Sequence, residues 1–269
     1  MKLIPITFII FKLNKLKILA NYMFEALNLI WIVIAVTTFL VLVIFKIKAP
    51  YGRHNNAKWG VMISNKWGWF IMELPAFLIM PTITIIGPTQ KSELTYLLIL
   101  LWVLHYFNRT FIFPFKLRTK NKKMPLVIVV SAILFNSVNG FLNGYFLGYL
   151  NTEMSSLLSL NVIIGLVVFF TGMYINKTAD KYLISLRTNN KSYQIPFGGL
   201  FKYISCPNHF GEVVEWFGFM IIAYNLPSMT FAIWTFCNLS PRSLNHHKWY
   251  KEKFDNYPKN RKAILPYIL

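Results

Sequence analysis

The sequence predicts an all-α integral membrane protein with seven transmembrane helices, its N-terminus outside and its C-terminus in the cytosol. Three observations lead there. Of the 269 residues, 55% are hydrophobic and only 14% are charged, where a soluble domain carries about 25% charge. That is too little charge to cover a water-facing globule, and the chain is too apolar to be disordered. The apolar residues gather in charge-poor stretches, each long enough to cross roughly 30 Å of hydrocarbon as a helix. Positive charge, 28 Lys+Arg against 9 Asp+Glu, falls on one side of the resulting topology. In a soluble chain a net charge of +19 would suggest nucleic acid. Basic loops on one face of a membrane explain it here, and no nucleic-acid partner is expected.

The first span covers 24–45 and is charge-free after Glu25. The second, 67–87, holds one charge, Glu73, and the third, 94–115, holds only Arg109. The fourth, 125–150, and the fifth, 155–176, hold none. From Glu215 to Arg242 no charge intervenes, but Asn225-Leu226-Pro227-Ser228 breaks the middle. Proline does not continue a hydrogen-bonded helix, and the residue before it leans away from α. Two short spans follow, 209–224 and 227–244. With the N-terminus outside, each of the three inner loops carries five lysines or arginines and the tail carries seven, while the outer loops carry only Lys91. This is the positive-inside pattern; a single final crossing would put the seven-charge tail outside. Residues 1–22 stand apart. Lys2, Lys12, Lys15 and Lys17 accompany an apolar run, 3–11, that is too short to span. It has signal-peptide flavour without a clear small-residue cleavage site. It reads as an N-terminal amphipathic extension lying on the membrane surface, ahead of a seven-helix domain over 23–269. A start at Met23 would remove it.

Ionisable groups inside a membrane are costly, so each is a functional candidate. At 1.5 Å per residue, Glu73 lies about 9 Å along the second helix from its inner end, and on the third Tyr106 lies about 14 Å and Arg109 about 9 Å from that side. Asn176 ends the fifth helix there. Asn208, Glu212 and Glu215 open the sixth, and Arg242 and His246 close the seventh. Polar groups from five helices thus converge on the inner leaflet. Interhelical glue, with Glu73 paired to Arg109, is one reading; a ligand cavity open to the cytosol is the favoured one. Gly140, Gly144 and Gly148 form a small-residue stripe suited to close helix packing, with Asn136, Asn139 and Asn143 beside it and able to line a pocket. The inner loop 177–207 and the tail mix rings with cations, which suits an anionic nucleotide or lipid headgroups equally. No G-x-G-x-x-G or P-loop occurs, so no Rossmann cofactor site is expected. There is no HExxH and no Cys/His cluster, so no metal is expected. Cys206 and Cys237 form no CxxC and read as unpaired thiols.

Several motifs carry a resemblance: YGRH at 51–54, ELP at 73–75, HYFNRTF at 105–111, NGFLNGYFLGY at 139–149 and GMYIN at 172–176. The most specific are IPFGGLFKYISCPNHFGEVVEW at 195–216 and HHKWYKEKFDNYPKNRKAILP at 246–266. In this order and spacing, from about Tyr51 to the C-terminus, the chain resembles the steroid 5α-reductase family. The resemblance implies a seven-helix membrane reductase that uses NADPH, taken from the cytosol, to reduce the Δ4 double bond of a 3-oxo steroid taken from the lipid bilayer. It implies a multi-pass protein of the endoplasmic reticulum or bacterial inner membrane. Glu73 matches the family's glutamate of ELP and Tyr106 the tyrosine of HYF-x-RT, which face the 3-oxo group. Asn176, Asp180, Arg187, Tyr193, Asn208, Glu212, Arg242, His246 and Tyr250 match its cofactor-binding residues. Met72 stands where the steroid reductases usually have glutamine, and the segment between Arg187 and Tyr193 is one residue shorter than usual.

The chemistry follows from the bond being reduced. Hydride added to the β-carbon of an enone puts negative charge on the carbonyl oxygen, so donors aimed at that oxygen stabilise the transition state more than the substrate. The Tyr106 hydroxyl can donate. Glu73 can donate only when protonated, which an apolar span favours unless Arg109 pairs with it. The acid that protonates the α-carbon is not legible in the sequence. An alternative within the same superfamily is reduction of another membrane-dissolved lipid enone or enoyl thioester. A different class, a seven-span receptor or transporter, would place its ligand groups outward or show paired halves; this chain does neither.

Overall fold

The structure, a computed structural model, describes residues 6–50, 52–118, 122–151, 156–187 and 193–269, with side chains from residue 15 onward. Among these residues run seven long helices: α1 (Ile6–Ile44), α2 (Asn65–Ile86), α3 (Glu93–Phe107), α4 (Leu126–Tyr145), α5 (Leu160–Ser185), α6 (Pro207–Ala223) and α7 (Leu226–Lys253). A π-turn at Asn108–Ile112 and a last turn at Phe113–Lys116 prolong α3. A second π-turn, Phe146–Leu150, prolongs α4. Five helices, α1 to α5 with these extensions, are long and apolar enough to cross a membrane. The other two expected spans fall short of that measure for separate reasons. Helix α6 has 17 residues, about 26 Å of helix. Helix α7 has 28 residues but turns polar beyond Pro241.

Helix α1 is unbroken from Ile6 to Ile44. The expected 1–22 extension is therefore helically continuous with the first span, with residues 1–5 outside the described part; residues 15–23 are exposed. One departure from an all-α chain is a two-stranded antiparallel ribbon, β1 (Met62–Ser64) with β2 (Lys123–Pro125), in which Met62 opposes Pro125 and Ser64 opposes Lys123. Leu126 N–H to Val61 O, 2.7 Å, and Asn65 N–H to Lys122 O, 3.0 Å, extend its ladder. The ribbon ties together two basic loops at one end of the bundle. The expected break near Pro227 is a tight hairpin. Tyr224 closes α6 in the left-handed conformation at φ 43°, and the Asn225 side chain caps α7 by accepting from Ser228 N–H at 3.0 Å, the N-cap role suited to asparagine.

Two helix pairs are drawn together by glycine. The predicted Gly140, Gly144 and Gly148 stripe lies on α2: a Cβ at Gly144 would stand 2.8 Å from Met80 O, and one at Gly148 2.6 Å from Ile83 O. Between α5 and α6, Gly165 and Gly172 face Gly218 and Gly211. A Cβ at Gly211 would stand 2.4 Å from Asn176 N, and one at Gly172 2.2 Å from Glu215 N. These obstacles are backbone atoms, which cannot step aside. Gly211→Ala is therefore expected to cost about 1–3 kcal/mol by overpacking, read as a lower thermal unfolding midpoint in detergent. An unchanged midpoint would mean the helices do not meet this closely. Where the bundle closes, Trp102, Trp216, Phe219 and Phe231 form a buried aromatic knot. Trp216 and Phe231 have ring centres 4.5 Å apart, and Trp102 Nε1 donates to Ala76 O at 2.8 Å.

The chain beyond α7 folds back beneath α6. Ser205 N–H donates to Lys262 O at 2.8 Å and Lys262 N–H to Tyr203 O at 2.9 Å. The Ser205 hydroxyl also meets His247 Nδ1 at 2.6 Å and the Tyr257 hydroxyl at 2.7 Å. The segment leading into α6 is thereby pinned against the polar half of α7. Cys206 and Cys237 are buried and unbridged.

Candidate functional site

The basic loops and the polar half of α7 meet around a cavity at one end of the bundle, with about 1170 Å³ of empty space that includes open solvent. Of the nine cofactor residues named from the sequence, Asp180, Arg187, Tyr193, Asn208, Glu212, Arg242, His246 and Tyr250 line it. Asn176 stands directly behind, its Nδ2 donating to Asn208 O at 3.0 Å and Glu212 Oε2 at 3.3 Å. The glycine contact between α5 and α6 makes this possible, since Asn176 N is the atom Gly211 approaches. The shortened segment between Arg187 and Tyr193 lies outside the described residues.

Arg109 sits at the centre of this polar floor. It lies within the π-turn that prolongs α3, and such turns re-aim side chains at functional sites. Its guanidinium is 3.6 Å from Asp180 and 3.9 Å from Glu212, with the Trp69 and Phe113 rings 5.1 and 4.7 Å away. Asn208 Nδ2 donates to Asp180 Oδ1 at 3.0 Å. The Glu73–Arg109 pair of the glue reading is not formed among the described residues, because the close approach of α5 and α6 offers Arg109 two other carboxylates. Glu215 also departs from expectation. It lies nearly one turn past Glu212, 1% exposed, and meets His105 Nδ1 at 2.9 Å in the core rather than at the cavity.

Glu73 and Tyr106 lie deeper, on α2 and α3, and do not line the cavity. Glu73 Oε2 accepts from Asn136 Nδ2 at 3.3 Å, and the same amide donates to Met72 O at 2.6 Å. Asn136 on the glycine-striped α4 thus holds the carboxyl, as one of the three asparagines set beside that stripe. Asn139 instead accepts from Trp31 Nε1 at 3.2 Å, and Asn143 bonds back to Asn139 O at 3.0 Å. Tyr106 is 4% exposed, with ring centres of His105, Trp102 and Trp216 at 5.0, 5.1 and 5.7 Å. Glu73, Glu212 and Arg109 are each near enough for their charges to act on it. Its hydroxyl makes no hydrogen bond among the described residues. Met72, in the place of the usual glutamine, packs with Met124 and Val129.

Several lining groups escaped the sequence reading: Arg53, Lys122, Lys123, Asn65 and Trp69. Arg53 and His54 belong to the quoted YGRH, but nothing local showed that this loop would reach α7. His54 Nε2 lies 3.2 Å from His246 Nδ1. Burial first, then the Arg53 and Lys48 cations, lower the His54 pKa from 6.5 to about 4. A histidine held neutral in the fold gains its proton first in the unfolded chain. Stability is thus unaffected by this group above pH 6.5 and is expected to fall as the pH drops through that value toward about 4. His54→Gln should flatten that part of a midpoint-against-pH curve; an unaltered slope would contradict the assignment. Cys206 also lines the cavity, but burial pushes its thiol up to about 12, so it is no nucleophile at neutral pH.

Residues 122–269 match the family described as 3-oxo-5-alpha-steroid 4-dehydrogenase. The chain is similar to steroid 5-alpha-reductase DET2 of Solanum lycopersicum, 38% identical over 242 residues, or 88% of this chain and 93% of the relative. It is similar to 3-oxo-5-alpha-steroid 4-dehydrogenase 1 of Bos taurus, 36% identical over 228 residues, 82% of this chain and 88% of the relative. The Homo sapiens protein of that name is 35% identical over 223 residues, 81% and 85% of the two chains.

Proposed function

Because the chain belongs to the 3-oxo-5-alpha-steroid 4-dehydrogenase family, we propose that it reduces the Δ4 double bond of 3-oxo-Δ4 steroids to 5α-reduced 3-oxo steroids, with NADPH as the hydride source. The observation that carries this reading is the Tyr106 hydroxyl, unpartnered among the described residues and beside Glu73, buried next to a polar, cation-rimmed cavity. All seven helices are read as spans. The cavity is read as cytosolic, since Arg53, Lys122, Arg187 and Arg242, from the four basic segments, meet at its wall.

The lining residues suit a dinucleotide. Cations and rings stand at the mouth, and one guanidinium nitrogen, Arg53 Nη1, is buried without a partner among the described residues. Asn176, Asn208 and Glu212 form an amide-and-carboxylate set at the floor, able to hold a carboxamide-bearing ring. When bound, the dinucleotide supplies hydride for the β-carbon. The protein's part is to hold the enone and stabilise its oxygen. Tyr106 donates a hydrogen bond to the 3-oxo group, and protonated Glu73, steadied by Asn136, donates a second. Both bonds strengthen as charge grows on that oxygen. Arg109, engaged by Asp180 and Glu212, leaves Glu73 free for this role. The Trp102, Trp216 and Phe231 wall keeps water away, and a drier site makes each donor more effective.

The test is NADPH oxidation by the purified full chain in detergent, with a 3-oxo-Δ4 steroid and an enoyl thioester offered separately. Steroid-dependent oxidation is expected. Oxidation with the thioester alone would overturn the substrate assignment in favour of a lipid enoyl reductase.

A further inference from the structure

The C-terminal fold-back beneath α6 carries a second basic surface, separate from the cavity. Two acid-free segments build it, 193–206 and 257–269. Their backbones are joined: Lys262 N–H donates to Tyr203 O at 2.9 Å, and Cys206 N–H to Ala263 O at 3.1 Å. Lys202 Nζ stands 5.7 Å from the centre of the Tyr203 ring, and the Tyr267 ring lies 5.6 Å from it. The Arg261 guanidinium lies over both Phe197 and Tyr257, 5.2 and 5.1 Å from their ring centres. None of Phe197, Lys202, Arg261, Lys262 and Tyr267 lines the cavity.

Two features of this surface are not explained by the packing of the chain. Its cations lack counter-charges. Lys202 and Lys262 are exposed, Arg261 is 3% exposed, and among the described residues none of the three forms an ion pair. Arg261 Nε and Nη1 are buried with no hydrogen-bond partner among those residues. Lys251 adds to the positive field, since its charge and those of Arg261 and Lys262 all act on His247. A buried guanidinium without a counter-charge is costly, and like charges around it raise the cost. Its apolar side chains lack cover. Tyr267 and Ile268 are each 76% exposed and Phe197 57%, an unfavourable state in water. One partner answers both. With α6 read as a span from 209, Cys206 and the Ala263 carbonyl bonded to it stand about 5 Å from the hydrocarbon edge. That is within the headgroup layer, about 5–8 Å deep on each side. Tyrosine is enriched at this depth, and basic residues there attract anionic lipid.

We propose that the C-terminal fold-back, through Lys202, Lys262 and the exposed tip of Tyr267 and Ile268, docks anionic phospholipid headgroups of the cytosolic leaflet. The headgroup phosphate meets the lysines and offsets the Arg261 charge, while Tyr267 and Ile268 enter the acyl boundary. This rests on the reading of α6 as a span given above. The effect reaches the cavity, because the same fold-back pins Ser205, three residues before Asn208 on the cavity wall. Lipid at this surface steadies the entry into α6.

The test is binding rather than turnover. The detergent-purified full chain, free of dinucleotide, is titrated with short-chain phosphatidylglycerol, short-chain phosphatidylcholine or glycerol 3-phosphate, and the thermal unfolding midpoint is followed. Phosphatidylglycerol should raise the midpoint, and the other two should raise it little. Lys202→Gln with Lys262→Gln should weaken the apparent affinity for phosphatidylglycerol about 25-fold, from about 5-fold per basic charge at a membrane surface. Ile268→Ser, at the exposed tip, should weaken it by less. Lys58→Gln with Lys116→Gln removes the same charge from exposed positions in other basic segments and should leave the affinity unchanged. Saturating NADP+ should not displace the lipid. An equal rise with phosphatidylcholine or with glycerol 3-phosphate, an unchanged affinity in the Lys202 and Lys262 variant, equal weakening by the control pair, or loss of the response in NADP+ would each overturn the inference alone. A chain that stays monodisperse in buffer without detergent would overturn the span reading, and this surface with it.

Discussion

Tyr106→Phe is expected to lose roughly 10²- to 10³-fold in turnover, the usual effect of deleting one preorganised donor to a developing oxyanion, and Glu73→Gln, which exchanges an acidic O–H for a much weaker amide N–H donor, should also lose turnover, by less. The phenylalanine would keep the ring of Tyr106 in its place among Trp102, His105 and Trp216. The glutamine would keep the contact that Glu73 makes with Asn136. Both variants should therefore unfold within about 1 kcal/mol of the wild type, as volume-conserving changes do. Their affinity for NADP+ should be unchanged, since neither side chain lines the cavity. Single-turnover rates with saturating steroid separate chemistry from binding. Wild-type rates in both variants would remove the pair from the mechanism. Because both donors address one oxygen, the double variant should lose less than the product of the single losses.

The second large effect concerns Arg109. It holds Asp180 at 3.6 Å and Glu212 at 3.9 Å in a buried setting. Arg109→Gln leaves two buried carboxylates without a counter-charge, a defect that costs about 3–5 kcal/mol. A large drop in thermal midpoint and loss of dinucleotide binding are expected. Asp180→Asn with Glu212→Gln in the same chain should recover much of that stability, because the orphaned charges are then gone. It should not recover binding, because the polar floor is altered. If Arg109→Gln left the midpoint unchanged, the ion cluster would not hold α3 to α5 and α6.

Much of this architecture was legible because single residues carried it. Glu73 and Arg109 stand out as lone charges in apolar runs. Pro227, with Asn225 before it, marked the hairpin between α6 and α7. Glycine at every fourth position of α4 announced its contact with α2. The parts that were missed depend on pairs of segments distant in sequence. Gly165 and Gly172, and likewise Gly211 and Gly218, recur every seventh residue, but each glycine alone is ordinary. Only their meeting across α5 and α6 shows why Asn176 can reach Asn208 and Glu212. A search for matched seven-residue glycine spacings would have found this contact. The three-residue strands of the ribbon are too short to show an alternating pattern, and the π-turn that aims Arg109 has no local marker. Arg53, Lys122 and Arg187 sit in three different loops, so charge counting placed them on one side of the membrane without bringing them together. The Glu73–Arg109 pair belonged only to the disfavoured glue reading and fails for the same reason: the nearest acid in the sequence pattern is Glu73, and the nearest in space are Asp180 and Glu212.

The most direct measurement is the destination of a labelled hydride. NADPH carrying deuterium at the transferable position of its nicotinamide is incubated with the purified chain and a 3-oxo-Δ4 steroid, and the product is read by mass spectrometry and NMR. Deuterium on the α face of C5, with a solvent proton at C4, is the expected result. Deuterium at any other carbon, or a steroid recovered unlabelled while the protein is folded and binds NADP+, would contradict the role assigned to Glu73 and Tyr106.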